Sequence, residues 1–146
     1  MTTVYLDTCS IQRPLDSLDH TRLRLEAEAM LGIMAQIQAG RIDLISSTVL
    51  EMETLNNPHL VRREHGLQIL GQARIIVVIT ADIEERASLF TNQGVRPMDA
   101  LHLACAEAAR TNYFCTCDDQ VLRKARGIAF SEMQVVSPIE LAGVIG

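Results

Sequence analysis

Four acids in this 146-residue chain, Asp7, Glu53, Asp99 and Asp118, are placed where they could do chemistry together. Asp7 ends the apolar run Val4-Tyr5-Leu6 and is followed by Thr8, Cys9 and Ser10. A carboxylate delivered by a buried strand is costly unless it is paired, hydrogen-bonded or bound to a cation, so its partners are expected elsewhere in the chain. Asp118 follows a second apolar segment, Tyr113 to Cys117, while Glu53 and Asp99 fall early in two helical patterns. Glu51 and Asp119 are the alternatives at two of these positions. Glu53 is preferred to Glu51 because the residues three and four before it are Leu50 and Val49, an inward apolar face, whereas Glu51 looks back on Thr48 and Ser47. Plainer roles compete at two of the sites. Asp99 also suits a first-turn acid favoured by the helix dipole, and Asp118 suits a helix N-cap.

Three or four carboxylates in one pocket repel one another unless divalent cations neutralise them. Oxygen donors without His or Cys at ligand spacing select hard ions, Mg²⁺ or Mn²⁺, and the chemistry such ions serve is hydrolysis of phosphodiester bonds, with an activated water and a stabilised leaving oxygen. Arg13, Arg96, Arg123 and Lys124 are the cations nearest the acids in sequence and the candidates for phosphate contact; a solvated surface charge is the ordinary role for each. His102, one helical turn past Asp99, reads as a hydrogen-bonded pocket wall, with substrate contact or proton transfer as the sharper alternative. Cys115-Thr116-Cys117 has neither zinc-knuckle nor redox spacing, so Cys9, Cys105, Cys115 and Cys117 are read as small apolar fillers.

The elements that must position these groups alternate between strand and helix. Val4 to Leu6 reads as the first strand and Ile11 to His20, with Pro14, as a loop. A long amphipathic helix runs from Thr21 to the stop at Gly40, with Met30 and Met34 assigned to the core in preference to a dimer surface. Ile42 to Ile45 is a second strand, and Ser46-Ser47 offers a cap for the Glu51/Glu53 helix, which ends before Asn56-Asn57-Pro58. A further helix covers Leu60 to Gln72. Arg74 to Ile79 reads as a third strand of the fully buried kind. Thr80 caps a helix that Gly94 ends, and Pro97 opens another whose Leu101, Ala104, Cys105 and Ala108 form a small-residue stripe. Tyr113 to Cys117 is the fourth strand, Asp118 to Arg126 a short helix, Gln134 to Val136 the fifth strand, and Pro138 starts a last helix. Strands separated by helices imply a mostly parallel sheet of about five strands in an α/β fold. Sites on such sheets form beyond the carboxyl ends of the strands, where Asp7 and Asp118 fall.

With 48% apolar residues the chain supports one hydrophobic core, hence a single domain over 1–146. A net charge of −5 argues against coating nucleic acid by bulk electrostatics, but all except one of the 13 basic residues are Arg, which suits local bidentate phosphate contacts. Three percent aromatics without Trp argues against a base-stacking platform. No stretch has the pattern of a signal peptide or membrane span, so a cytoplasmic protein is expected.

Leu6-Asp7-Thr8-Cys9, the Ser47 to Glu53 helix start, Met98-Asp99-Ala100-Leu101-His102-Leu103-Ala104 and Thr116-Cys117-Asp118 resemble, in order and spacing, the four motifs of the PIN-domain family. The resemblance implies a three-layer α/β/α sandwich and a Mg²⁺- or Mn²⁺-dependent nuclease, most often a ribonuclease, as in VapC-type toxins restrained by an antitoxin. It carries the acidic quartet onto Asp7, Glu53, Asp99 and Asp118, gives Thr8 and Thr116 the task of orienting carboxylates or water, and suggests a homodimer and cleavage that leaves a 5′ phosphate. Cys9 departs from the pattern, since many members have Asn there. That departure motivates a second reading, a catalytically weak nucleic-acid-binding or scaffold protein on the same fold. A flavodoxin-like or phosphoryl-transfer domain is disfavoured by the missing glycine-rich phosphate loop.

Overall fold

The computed structural model describes residues 1–145. Its elements in order are β1 (Thr3–Leu6), α1 (Thr8–Gln12), a 3₁₀ turn (Arg13–Leu15), α2 (Thr21–Gln38), β2 (Asp43–Ser47), α3 (Thr48–Leu55), α4 (Leu60–Leu70), β3 (Ile75–Val77), α5 (Ala81–Asn92), α6 (Pro97–Ala108), β4 (Tyr113–Cys115), α7 (Asp119–Ala125), β5 (Gln134–Val136) and α8 (Pro138–Ile145). The five strands are all parallel, in the order β3-β2-β1-β4-β5. β1 lies at the centre of the sheet, and its Val4, Tyr5 and Leu6 have no exposed surface. It pairs on one side with β2 (Tyr5 opposite Ile45) and on the other with β4 (Tyr5 opposite Phe114).

The chain winds outward from β1 to β3, then returns to the other side of β1 to place β4. Right-handed crossovers therefore put α2 to α4 on one face and α5 to α7 on the other. The packing agrees: α6 lies on β2 and β3 under α5, while α8 returns to pack on α2 and β4. The expected three-layer α/β/α architecture is the one formed. The reversal of winding falls between β1 and β4, so the switch point lies beyond Leu6 and Cys115. Both glycines read as helix stops, Gly40 and Gly94, adopt positive φ (74° and 97°), which an L side chain resists. Among the described residues no helix is long and apolar enough to cross a membrane.

Four local expectations are corrected. The segment after β1 is helical from Thr8, not a loop from Ile11; Asp7 caps the turn and Ile11 is carried into the core at 1% exposure. β3 is not a buried strand but the edge of the sheet, with Ile75 and Ile76 about half exposed (46% and 49%), because the winding reverses there and no further strand covers it. An apolar run alone does not separate a central strand from an edge one. β4 closes at Cys115, although Thr116 N still donates to Val136 O at 3.0 Å. In α6 the buried set is Ala100 and His102 to Ala106, while Leu101 and Ala108 lie at its margins, because this helix is covered by α5 as well as by the sheet. Met30 and Met34 do pack in the core.

These burials set the response to substitution. Ile45→Ala, in a side chain with no exposure, lowers stability by about 2–5 kcal/mol in urea unfolding, whereas Ile76→Lys on the edge costs about 0.5 kcal/mol or less. A large loss at Ile76 would show instead that the edge is covered in solution.

Candidate active site

The carboxyl end of the sheet collects the starts of three helices, and each start is capped by a side chain of the site. Asp7 Oδ1 accepts from Ser10 N at 3.1 Å to begin α1. Ser47 Oγ accepts from Leu50 N at 3.1 Å to begin α3. Asp118 Oδ1 accepts from Gln120 N at 2.8 Å and Val121 N at 3.3 Å to begin α7. Free N–H groups at a helix start need acceptors, and short polar side chains after an apolar strand supply them. Local sequence thus turns the chain sharply at the sheet edge and leaves the capping acids facing the switch point.

Asp7 is 7% exposed. Burial raises the pKa of its carboxyl above the ordinary value, and bonds from Thr116, Cys9 and Ser10 only partly offset that. The Cys9 thiol, pushed up by its contact with Cys117 and by burial, stays protonated and donates to Asp7 Oδ1 at 3.1 Å. Cys9 thus supplies a donor to the first acid, as a thiol where an amide would be the stronger partner. Cys9 Sγ also lies 3.6 Å from Thr116 Oγ1, which accepts from Asp118 N at 3.0 Å. Thr116, fully buried, so joins the acid after β1 to the acid after β4.

Glu53 stands on α3 beside these. Its Oε1 accepts from Thr8 Oγ1 at 3.0 Å and meets His102 Nε2 at 2.5 Å, whereas Oε2 makes no hydrogen bond among the described residues. Burial alone would raise its pKa, but the hydrogen bonds from His102 and Thr8 hold it below the ordinary value. Among the described residues the Glu51 side chain makes no hydrogen bond, so it is not joined to this group. His102, 3% exposed, forms a hydrogen-bonded wall, with Nδ1 on Tyr5 Oη at 2.6 Å.

Asp99 and Asp118 are bridged by one guanidinium. Arg96 Nε donates to Asp99 Oδ2 at 2.9 Å, and its Nη2 to Asp118 Oδ2. Burial would raise Asp118, but Arg96 and the two backbone N–H groups outweigh it and hold the carboxyl low. Asp119 points elsewhere, in a bidentate pair with Arg22 at 2.6 and 2.9 Å. Both plain roles foreseen for these acids are therefore occupied: Asp118 caps α7, and Asp99 sits in the first turn of α6. The remaining cations are spread out. Arg13 is engaged by Asp16 and Glu26 at 2.9 and 3.4 Å, Lys124 Nζ donates to Gly94 O at 2.6 Å, and Arg123 is exposed without a hydrogen bond. Sequence reading missed Tyr5 and Ser47 as site residues, because they read as strand filler and a helix cap. It named Arg96 as a phosphate contact, not as a bridge between two of the acids.

The donor set is of the type a hard cation takes: carboxylate oxygens, one of them the unpaired Oε2 of Glu53, with Asp7 buried and lacking a cationic partner. Among the described residues, however, no three His, Cys, Asp or Glu side chains are grouped closely enough to hold an ion. Arg96 already spans two of the four acids, so a cation shared by Asp99 and Asp118 must displace it.

The raised pKa of Asp7 has a testable sign. An acid whose folded pKa lies above its unfolded value destabilises the fold as it ionises, in full once the pH is above the folded pKa, and the cost vanishes as pH falls below the ordinary carboxylate range. Asn retains the cap. Asp7→Asn therefore raises the melting temperature of the metal-free protein at pH 7 by about 2–4 °C per kcal/mol relieved, and the gain shrinks toward pH 3. A lowered melting temperature at pH 7 would contradict this electrostatic account.

Comparison with known proteins agrees with the geometry. The chain matches the PIN domain over residues 4–127, from β1 through α7, a span that holds all four acids. No curated protein sequence matches it. Among solved structures it is similar to FitAcB from Neisseria gonorrhoeae, with a TM-score of 0.59 at 14% identity over 92% of this chain and 97% of that one, which is a likeness of fold. The five-stranded parallel sheet, the acids at its carboxyl end and the extent of the match together place this chain in the PIN domain family, a family of nucleases.

Proposed function

We propose that the chain is a Mg²⁺- or Mn²⁺-dependent endoribonuclease that hydrolyses RNA through Asp7, Glu53, Asp99 and Asp118, and that it acts in the cytoplasm as the toxin of a toxin-antitoxin pair, as a homodimer. The observation that carries the reading is the position of Asp7 directly beyond β1 and of Asp118 three residues beyond β4, the two strands that flank the switch point, joined through Thr116. Glu53 and Asp99 reach the same edge on α3 and α6, linked to each other's neighbours by the contact of His102 with Glu53. A divalent ion held by these acids would supply charge neutralisation and water activation for phosphodiester hydrolysis. The chain's own residues do the rest. Thr8 and Thr116 hold carboxylate orientation, Cys9 donates to Asp7, and Arg96, exposed and paired with Asp99 and Asp118, is the guanidinium that would contact a phosphate once displaced from those acids. Arg13, committed to Asp16 and Glu26, is a weaker candidate for that contact.

The antitoxin and the homodimer rest on the family resemblance. A second reading, a catalytically weak nucleic-acid-binding or scaffold protein, is favoured by one observation: Arg96 occupies two of the four acids.

The deciding experiment is cleavage of mixed structured and single-stranded RNAs with Mn²⁺ or Mg²⁺. The expected result is cleavage that EDTA abolishes and that Asp7→Asn and Asp99→Asn each lower by about 100-fold or more. Undiminished cutting in EDTA or in Asp7→Asn would sink the enzyme assignment. RNA retention without cleavage by any form would select the binding reading.

A further inference from the structure

A file of polar side chains runs through the apolar interior, leaving α3 at its first turn and returning to it at Glu53. Leu50 N donates to Ser47 Oγ at 3.1 Å. Ser47 Oγ meets Tyr5 Oη at 2.7 Å, Tyr5 Oη meets His102 Nδ1 at 2.6 Å, and His102 Nε2 meets Glu53 Oε1 at 2.5 Å. Ser47 and Tyr5 have no exposed surface and His102 only 3%. The Tyr5 ring is further clamped by stacking on Phe114, with centroids 5.3 Å apart and planes within 10°. Hydroxyls and an imidazole in such surroundings are costly unless every donor and acceptor is matched.

Matching them fixes a direction. An ionised carboxylate only accepts, so His102 Nε2 carries the proton given to Glu53. Nδ1 of that tautomer is an acceptor and takes the Tyr5 hydroxyl proton; the Tyr5 oxygen takes the Ser47 proton; the Ser47 oxygen takes the Leu50 N–H. Run the other way, the file ends with the Ser47 proton on the Cys105 thiol beside it, a weak acceptor.

We infer that His102, with Tyr5 and Ser47 behind it, is a positioning residue for Glu53: the file holds the imidazole with its proton on Nε2, ties down Oε1 jointly with Thr8, and leaves Oε2 as the oxygen available to a cation. The inference rests on the metal-dependent reading above and adds to it the groups that aim one carboxylate. Outer partners that orient a metal-binding group typically carry a 10–100-fold effect on metal affinity. Thr8 alone, half-buried and bonded to the same oxygen, leaves the carboxylate free to turn about that contact; the buried imidazole supplies the second.

The test combines a structural readout with a metal titration that needs no turnover. Two-bond ¹H–¹⁵N spectra of ¹⁵N-histidine-labelled protein report which nitrogen of His102 is protonated, and Mn²⁺ titration followed by the signal of the free ion reports affinity. The expected result is a proton on Nε2 alone in the wild type, loss of that single tautomer in Tyr5→Phe, and a Kd for Mn²⁺ about 10–100-fold higher in Tyr5→Phe and His102→Leu. His102→Gln, whose amide nitrogen reaches the place of Nε2, restores most of the affinity lost in His102→Leu. Circular dichroism identifies which variants are folded, and Tyr5→Phe, the mildest change, carries the comparison if His102→Leu does not fold. A wild-type proton on Nδ1, or a folded Tyr5→Phe with affinity within about 2-fold of wild type, overturns the inference and leaves the proposed function standing. No Mn²⁺ binding by the wild type removes the metal-dependent reading itself, and the positioning role with it.

Discussion

Asp7 ends a strand whose three preceding side chains see no solvent, and burial pushes its carboxyl toward the neutral form. Among the described residues none pairs it with a cation. What it receives is a set of donors: the Ser10 amide, the Cys9 thiol and Thr116. Those three donors dictate much of the neighbourhood. Ser10 can donate only if the chain turns into α1 at once, and Thr116 only if β4 lies directly beside β1, which is the pairing the reversed winding produces. The fold thus keeps a hydrogen-bonded carboxylate at the switch point of the sheet.

The site acids share a division of labour between their two oxygens. Asp7 Oδ1, Asp118 Oδ1 and Glu53 Oε1 are spent on helix caps and on holding neighbours, while Asp118 Oδ2 faces Arg96 and Glu53 Oε2 is unpaired. This lets one residue serve stability and chemistry at once. Asp7, Asp118 and Glu53 are each held through one oxygen, whereas Asp99 is held, among the described residues, only by Arg96. Arg96 is the exposed counterweight in this scheme. Bridging Asp99 and Asp118, it offsets the mutual repulsion of the two acids.

How much of this could be read beforehand differs by element. The alternation of strands and helices, the stops at Gly40 and Gly94 and the cap at Ser47 follow from local pattern, and they are where expected. Ile75 and Ile76 were misjudged because an apolar triplet has the same composition in a central strand as at an edge, and only the strand order decides which it is. The start of α1 was missed because Pro14 signalled a loop, while Asp7, three residues before Ser10, supplies a cap strong enough for a five-residue helix. The inward face of α3 distinguished Glu53 from Glu51, and it is Glu53 that meets Thr8 and His102.

The partners of the acids lay beyond such reading. Tyr5 and His102 are 97 residues apart, Tyr5 and Ser47 42, and Arg96 and Asp118 22, so no local period connects them. By itself the sequence determined the class of fold, the end of the sheet at which acids gather and the helix starts that carry them, because these depend on propensity and hydrophobic period within a few residues. Which acids are bridged by Arg96, which oxygen of Glu53 is left unpaired and which strand lies at the edge were decided only by the tertiary structure, because each depends on the order in which parallel strands are laid beside β1 and on the donors that order brings within about 3 Å.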